Sequence, residues 1–112
     1  MAFKDKISSI PLTSIDSATV SGTYQAINSS GLDNPCFLIR IINDSSQDVT
    51  ISYDGTTDND YLRTTETLSL PFQTNARPSN FVANIPKGTK VYVKGTAGTG
   101  AIYLAGYYSP VL

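Results

Sequence analysis

Histidine and tryptophan are absent from these 112 residues, and cysteine occurs once. Without histidine, Ser-His-Asp and Cys-His catalysis lose their base. Histidine-built metal sites lose their ligand as well. The single thiol, Cys36, excludes an internal disulfide and with it a secreted disulfide scaffold. It lies in the apolar run Cys36-Phe37-Leu38-Ile39, which predicts a buried thiol packing as a small hydrophobe. A reactive thiol wants a cationic neighbourhood, and only Arg40 is near in sequence.

A basic surplus is missing too. The formal net charge is −1, with 8 lysines and arginines, whereas phosphate binding wants a marked positive excess. No nucleic-acid partner is expected, and Lys4-Asp5-Lys6 reads as part of a solvated arm. No apolar stretch approaches the ~20 residues of a membrane span, so no membrane partner is expected. The start, Met1 to Ile7, lacks the apolar core of a signal peptide. The chain is expected to be made in, and to stay in, the cytoplasm unless a particle carries it out.

What the sequence does hold is strand-forming residues. Thr, Ile, Val, Tyr and Phe are frequent, and Gly, Pro, Asn, Asp and Ser punctuate short apolar runs every ~10 residues. No segment keeps a helical period. The size is that of one domain, able to bury roughly two-thirds of its unfolded surface without staples. The expected fold is all-β: a single antiparallel β-sandwich of about seven or eight strands, jelly-roll-like or immunoglobulin-like.

Residues 1–16 read as an N-terminal arm or edge strand, because Pro11 cannot donate to a ladder. Residues 17–112 read as the sandwich. Within it, 17–27 suits a partly exposed strand, and 36–42 is the clearest strand. There Phe37, Ile39 and Ile41 alternate with Cys36, Leu38 and Ile42, which predicts burial on both sides. Asn43 to Asp48 reads as a polar turn, hairpinning 36–42 to Val49–Tyr53. Thr67 to Phe72 alternates up to Pro71, and Phe81–Ile85 is a further short strand. A last hairpin joins Lys90–Lys94 to Ile102–Tyr107 through Gly95–Gly100.

Two segments invite a chemical reading. Asp54-Gly55-Thr56-Thr57-Asp58-Asn59-Asp60 is rich in the oxygen ligands that calcium prefers. Its glycine is misplaced for an EF-hand, so it reads as turn chemistry, with a weak calcium site as the alternative. Gly95–Gly100 leads into a strand rather than a helix and has no following lysine, which argues against a phosphate cradle. No catalytic residue, metal ligand or cofactor is expected, and the chain does not read as an enzyme. Tyr92, Tyr103, Tyr107 and Lys94 are the candidate contact residues. If the last hairpin keeps its alternation, Tyr92 and Tyr103 share the face opposite Val91, Val93, Ile102 and Leu104. Exposed tyrosines beside lysines suit a protein interface, unless a second layer such as the arm covers them.

Ile39-Arg40-Ile41-Ile42-Asn43 followed by Val49-Thr50-Ile51-Ser52-Tyr53-Asp54-Gly55 forms one half of a resemblance. Lys87-Gly88-Thr89-Lys90-Val91-Tyr92-Val93-Lys94-Gly95 and Ile102-Tyr103-Leu104-Ala105-Gly106-Tyr107-Tyr108 form the other. Over roughly residues 36–108 the chain resembles small structural proteins of tailed-bacteriophage particles. The resemblance implies a virion protein, present in many symmetric copies, that decorates a head, joins head to tail, or attaches fibres or tails. Its implied partners are other virion proteins and itself, as a trimer or a higher oligomer. The arm, with Ile7 and Ile10, would then pair with a neighbour's sheet edge. The alternative is a carbohydrate- or cell-surface-binding module using Tyr92, Tyr103 and the Asp54–Asp60 loop.

Overall fold

The computed structural model describes residues 8–71 and 85–108. Two antiparallel sheets face each other. The first holds β1 (Ser8–Ser9), β2 (Thr13–Asp16), β4 (Leu38–Ser45), β7 (Thr67–Pro71) and β9 (Gly100–Tyr108). The second holds β3 (Gln25–Ala26), β5 (Val49–Ser52), β6 (Asp60–Leu62) and β8 (Tyr92–Gly95). β1 and β2 follow one another along the same side of β9, so the nine segments among the described residues occupy eight strand positions.

The pairing is nested. β2 pairs with β9, β3 with β8, β4 with β7, and β5 with β6. This long double ribbon is rolled up so that β9 also meets β4 and β8 also meets β5. The wiring is that of an eight-stranded jelly roll. An immunoglobulin-like sandwich would keep more consecutive strands as neighbours in one sheet; among the described residues only β5–β6 does so. The two hairpins expected at 43–48 and 95–100 are therefore crossings. β4 and β5 lie in different sheets, and so do β8 and β9.

The core follows from alternation. Ile39 and Ile41 of β4, Ile102 and Leu104 of β9, Val49 and Ile51 of β5, and Val91 and Val93 all face inward and are buried. Burial at ~25 cal/mol per Å² makes this layer the main driving force. β4 is not buried on both sides as its composition suggests. Leu38, Arg40 and Ile42 are half-buried on its outward face, because no third layer covers the first sheet among the described residues. Cys36 departs from the predicted phase. A bend at Phe37 turns it inward, where it is fully buried and bridges to Ile85. Ile85 is the described end of the expected strand 81–85; Phe72 and residues 81–84 lie outside the described residues.

Three further segments differ from expectation. Residues 17–19 form a short 3₁₀ turn, capped by the Asp16 side chain accepting from the Ala18 N–H at 3.0 Å. β4 runs on through Asn43 to Ser45. Their inward polar groups satisfy one another, so the expected turn shrinks to 46–48. The edge formed by β1 and β2 carries one extra residue against β9: Ser9 faces Tyr107, while Thr13 faces Leu104. This bulge contains Pro11, which is tolerated there because it has no N–H to give to a ladder.

Candidate functional site

The six residues singled out as contact residues separate. Tyr103 and Tyr107 lie outward on β9 of the first sheet, whereas Tyr92 and Lys94 lie outward on β8 of the second. The Gly95–Gly100 segment crosses from one sheet to the other, so Tyr92 and Tyr103 sit on opposite faces of the sandwich. The composite site of Tyr92, Tyr103 and the 54–60 loop therefore does not form. Ile10 is a core residue at 7% exposure. Its N–H donates to the Gly106 carbonyl at 3.0 Å, and its side chain and the Cys36 thiol fill the space above the bare Gly106 α-carbon. Ile10 thus packs inside the subunit. Ile7 lies outside the described residues.

On the second sheet the loop after β5 folds back over the outward face. Tyr92 lies beneath Gly55, where φ is +85° and a Cβ would meet the tyrosine ring at 3.3 Å; glycine suits both the backbone and the contact. Farther along, the Tyr24 hydroxyl donates to Asp58 at 2.5 Å, and Lys94 reaches the same carboxylate at 3.1 Å while lying 4.8 Å from the Tyr24 ring centre. Desolvation and the Asp58 carboxylate push the Tyr24 phenol up to about 12. Asp54 accepts from the Thr57 and Thr56 N–H groups and from the Ser52 and Thr57 hydroxyls, which hold its carboxyl well below the usual range. Tyr53 donates to Asp60. The loop's carboxylates are thus committed to holding the loop itself. Among the described residues no three His, Cys, Asp or Glu side chains gather as metal ligands.

The first sheet's outward face has a different character. Its register sets Tyr103 beside Ile42, Ala105 beside Arg40, Tyr107 beside Leu38, and Ala101 beside Asp44. Leu12, in the bulge, is 60% exposed. With Ile42, Asp44, Thr65 and Tyr103 it lines a shallow groove of about 350 Å³. Arg40 donates from Nη1 to the Tyr107 hydroxyl at 3.1 Å. Leu12, Leu38, Arg40 and Ile42 are not among the contact residues expected from the sequence. The available signal was the doubly apolar alternation of 36–42, which fits a contact face as well as a second layer of core.

No family model, no curated protein and no solved structure matches the chain. The site must be judged on its chemistry. Desolvation raises the pKa of the buried Cys36 thiol, opposite to the shift that activates a nucleophile. Among the described residues no helix is long and apolar enough to cross a membrane. The arrangement on the first sheet can offer flat apolar area, two phenols and one guanidinium, which is the chemistry of protein contact surfaces.

Proposed function

We propose that this chain is a structural protein of a bacteriophage virion, built into the particle in many copies and holding its neighbours through the outward face of the first sheet. The observation that carries this reading is the half-exposed patch of Leu38, Ile42, Tyr103 and Tyr107 beside the exposed Leu12. Such a surface is normally covered by a partner. Two further facts support the reading. Jelly rolls recur in viral capsid domains, although the same wiring also serves lectins, and a fold by itself fixes no function. The sequence likeness to small phage structural proteins points the same way. Modest contacts repeated over many copies add into firm attachment, which suits a 112-residue subunit.

Cryo-electron microscopy of the virions whose genome encodes the chain tests the proposal. The expected result is stoichiometric copies of this sandwich, each with Tyr103 and Ile42 against a neighbouring chain. Tyr103→Ser should then impair incorporation while leaving the melting temperature of the free subunit nearly unchanged. Tyr92→Ser, on the opposite face, should leave incorporation intact. Absence of the chain from purified particles would sink the proposal, as would a first-sheet face open to solvent in every copy.

A further inference from the structure

The outward face of the first sheet has an internal symmetry of charge and size. On β4, Arg40 and Asp44 lie two residues to either side of Ile42 and point outward with it. At ~3.3 Å per residue each is about 6.6 Å from Ile42 along the strand. On β9, Ala105 beside Arg40 and Ala101 beside Asp44 lie in the same way about Tyr103. Within β4 and β9, opposite charges and equal small residues are therefore reflected about one row, Ile42–Tyr103; on the flanking β2, the exposed Asp16 lies beside Ala101. Among the described residues Arg40 has only the Tyr107 hydroxyl as a polar partner, and the one ion pair is Lys94–Asp58 on the other face. Asp44 is exposed.

We infer that the occupant of this face is a second copy of the chain, related by a two-fold axis that runs in the interface along the Ile42–Tyr103 row and sets Arg40 of each copy against Asp44 of the other. A two-fold interface joins a patch to itself, so a contact between positions i and j recurs as j and i. Rotation about that axis reverses β4 and sends each position above Ile42 to the matching position below it. Arg40 then meets Asp44 twice, and Ala101 meets Ala105 twice. On the axis itself Tyr103 packs against the other copy's Tyr103 and Ile42 against its Ile42, and the small alanines on either side let the two sheets approach. Stacked sheets lie ~10 Å apart, a gap that an arginine and an aspartate side chain can bridge together. This inference rests on the proposed use of the face as a contact surface and adds the partner and its orientation.

The test uses two charge reversals, Arg40→Asp and Asp44→Arg, in the full chain, followed by sedimentation equilibrium up to millimolar concentration. Wild-type protein should self-associate. Each variant alone should associate roughly tenfold more weakly or worse, since both symmetric contacts then oppose like charges. An equimolar mixture of the two variants should form a heterodimer, because both of its contacts again pair opposite charges. That heterodimer should weaken as salt is raised. Its formation also shows that both variants are folded, and Asp44→Arg, at an exposed position, tests the contact alone if Arg40→Asp melts early. A mixture that stays as two separate monomers, variants that associate like wild type, or a wild-type chain that stays monomeric at millimolar concentration would each overturn the two-fold arrangement. The virion proposal fails on a different observation, the absence of the chain from particles.

Discussion

Asn43 sits fully buried on the inward side of β4, where alternation calls for an apolar side chain. Its Nδ2 donates to the Gln47 carbonyl at 2.9 Å and the Leu62 carbonyl at 3.2 Å, and its Oδ1 accepts from the Ser45 hydroxyl at 2.5 Å. The amide thus ties the first sheet to the crossing after β4 and to the end of β6 in the second. Asn43→Ala would leave the Leu62 carbonyl without this donor in a water-poor site. It should cost about 1–3 kcal/mol, the penalty of one unsatisfied buried group, read from urea denaturation as a lower midpoint at unchanged slope. A loss under ~0.5 kcal/mol would mean that water replaces the amide. This role was not legible in the sequence. Asn-Asp-Ser-Ser-Gln-Asp has the composition of a turn, and only the fold shows two of its side chains satisfying each other inside. Cys36 was legible as a buried thiol because its neighbours are apolar; its facing was not, because a bend at Phe37 shifts the phase.

Elements were easier to find than to connect. The strands at 38–45, 49–52, 67–71, 92–95 and 100–108 are all visible as period-two patterns, because each keeps one apolar side. Their connections at 46–48 and 96–99 differ from the expected hairpins, since a short polar linker serves equally as a hairpin turn or as a crossing between sheets. β6 begins at the last residue of the expected 54–60 loop and leaves little pattern, as Asp60-Tyr61-Leu62 has only one residue for the core. The strap formed by residues 53–59 makes its own prediction. Thr57 and Thr56 N–H groups lower the pKa of Asp54, and the Tyr24 phenol and Lys94 lower that of Asp58. Carboxylates with depressed folded values stabilise fully above their unfolded value, ~3.9, and lose that contribution as pH falls through the folded value. Thermal melts followed by circular dichroism should therefore be nearly flat from pH 7 to about 5 and decline progressively below about 4. Asp54→Asn/Asp58→Asn should melt lower at pH 7 and show a shallower acid decline. An equally steep decline in that variant would assign the acid sensitivity to other groups.

At the scale of the whole molecule, the two-layer all-β class followed from composition and spacing, whereas jelly-roll and immunoglobulin wiring remained equal until the pairings were known. Neighbour order in a sheet is set by contacts far apart in sequence, to which local alternation is blind. The tyrosine face suffered the same way. Its residues were identified, but the choice of sheet placed Tyr92 and Tyr103 back to back. The nested wiring predicts slow folding, since every pairing except β5–β6 spans a long stretch of chain. Stopped-flow refolding from urea should take milliseconds to seconds; completion within microseconds would contradict the wiring. On the ribosome the same geometry becomes a delay. Thr13 rests on Leu104, which is 91 residues later, and at ~5–20 residues per second that partner emerges roughly 5–18 s after Thr13 itself. Through that interval the earliest strand has no ladder to join. The proline kink at residue 11 then hinders sister segments on one polysome from zipping together before their own last strand arrives.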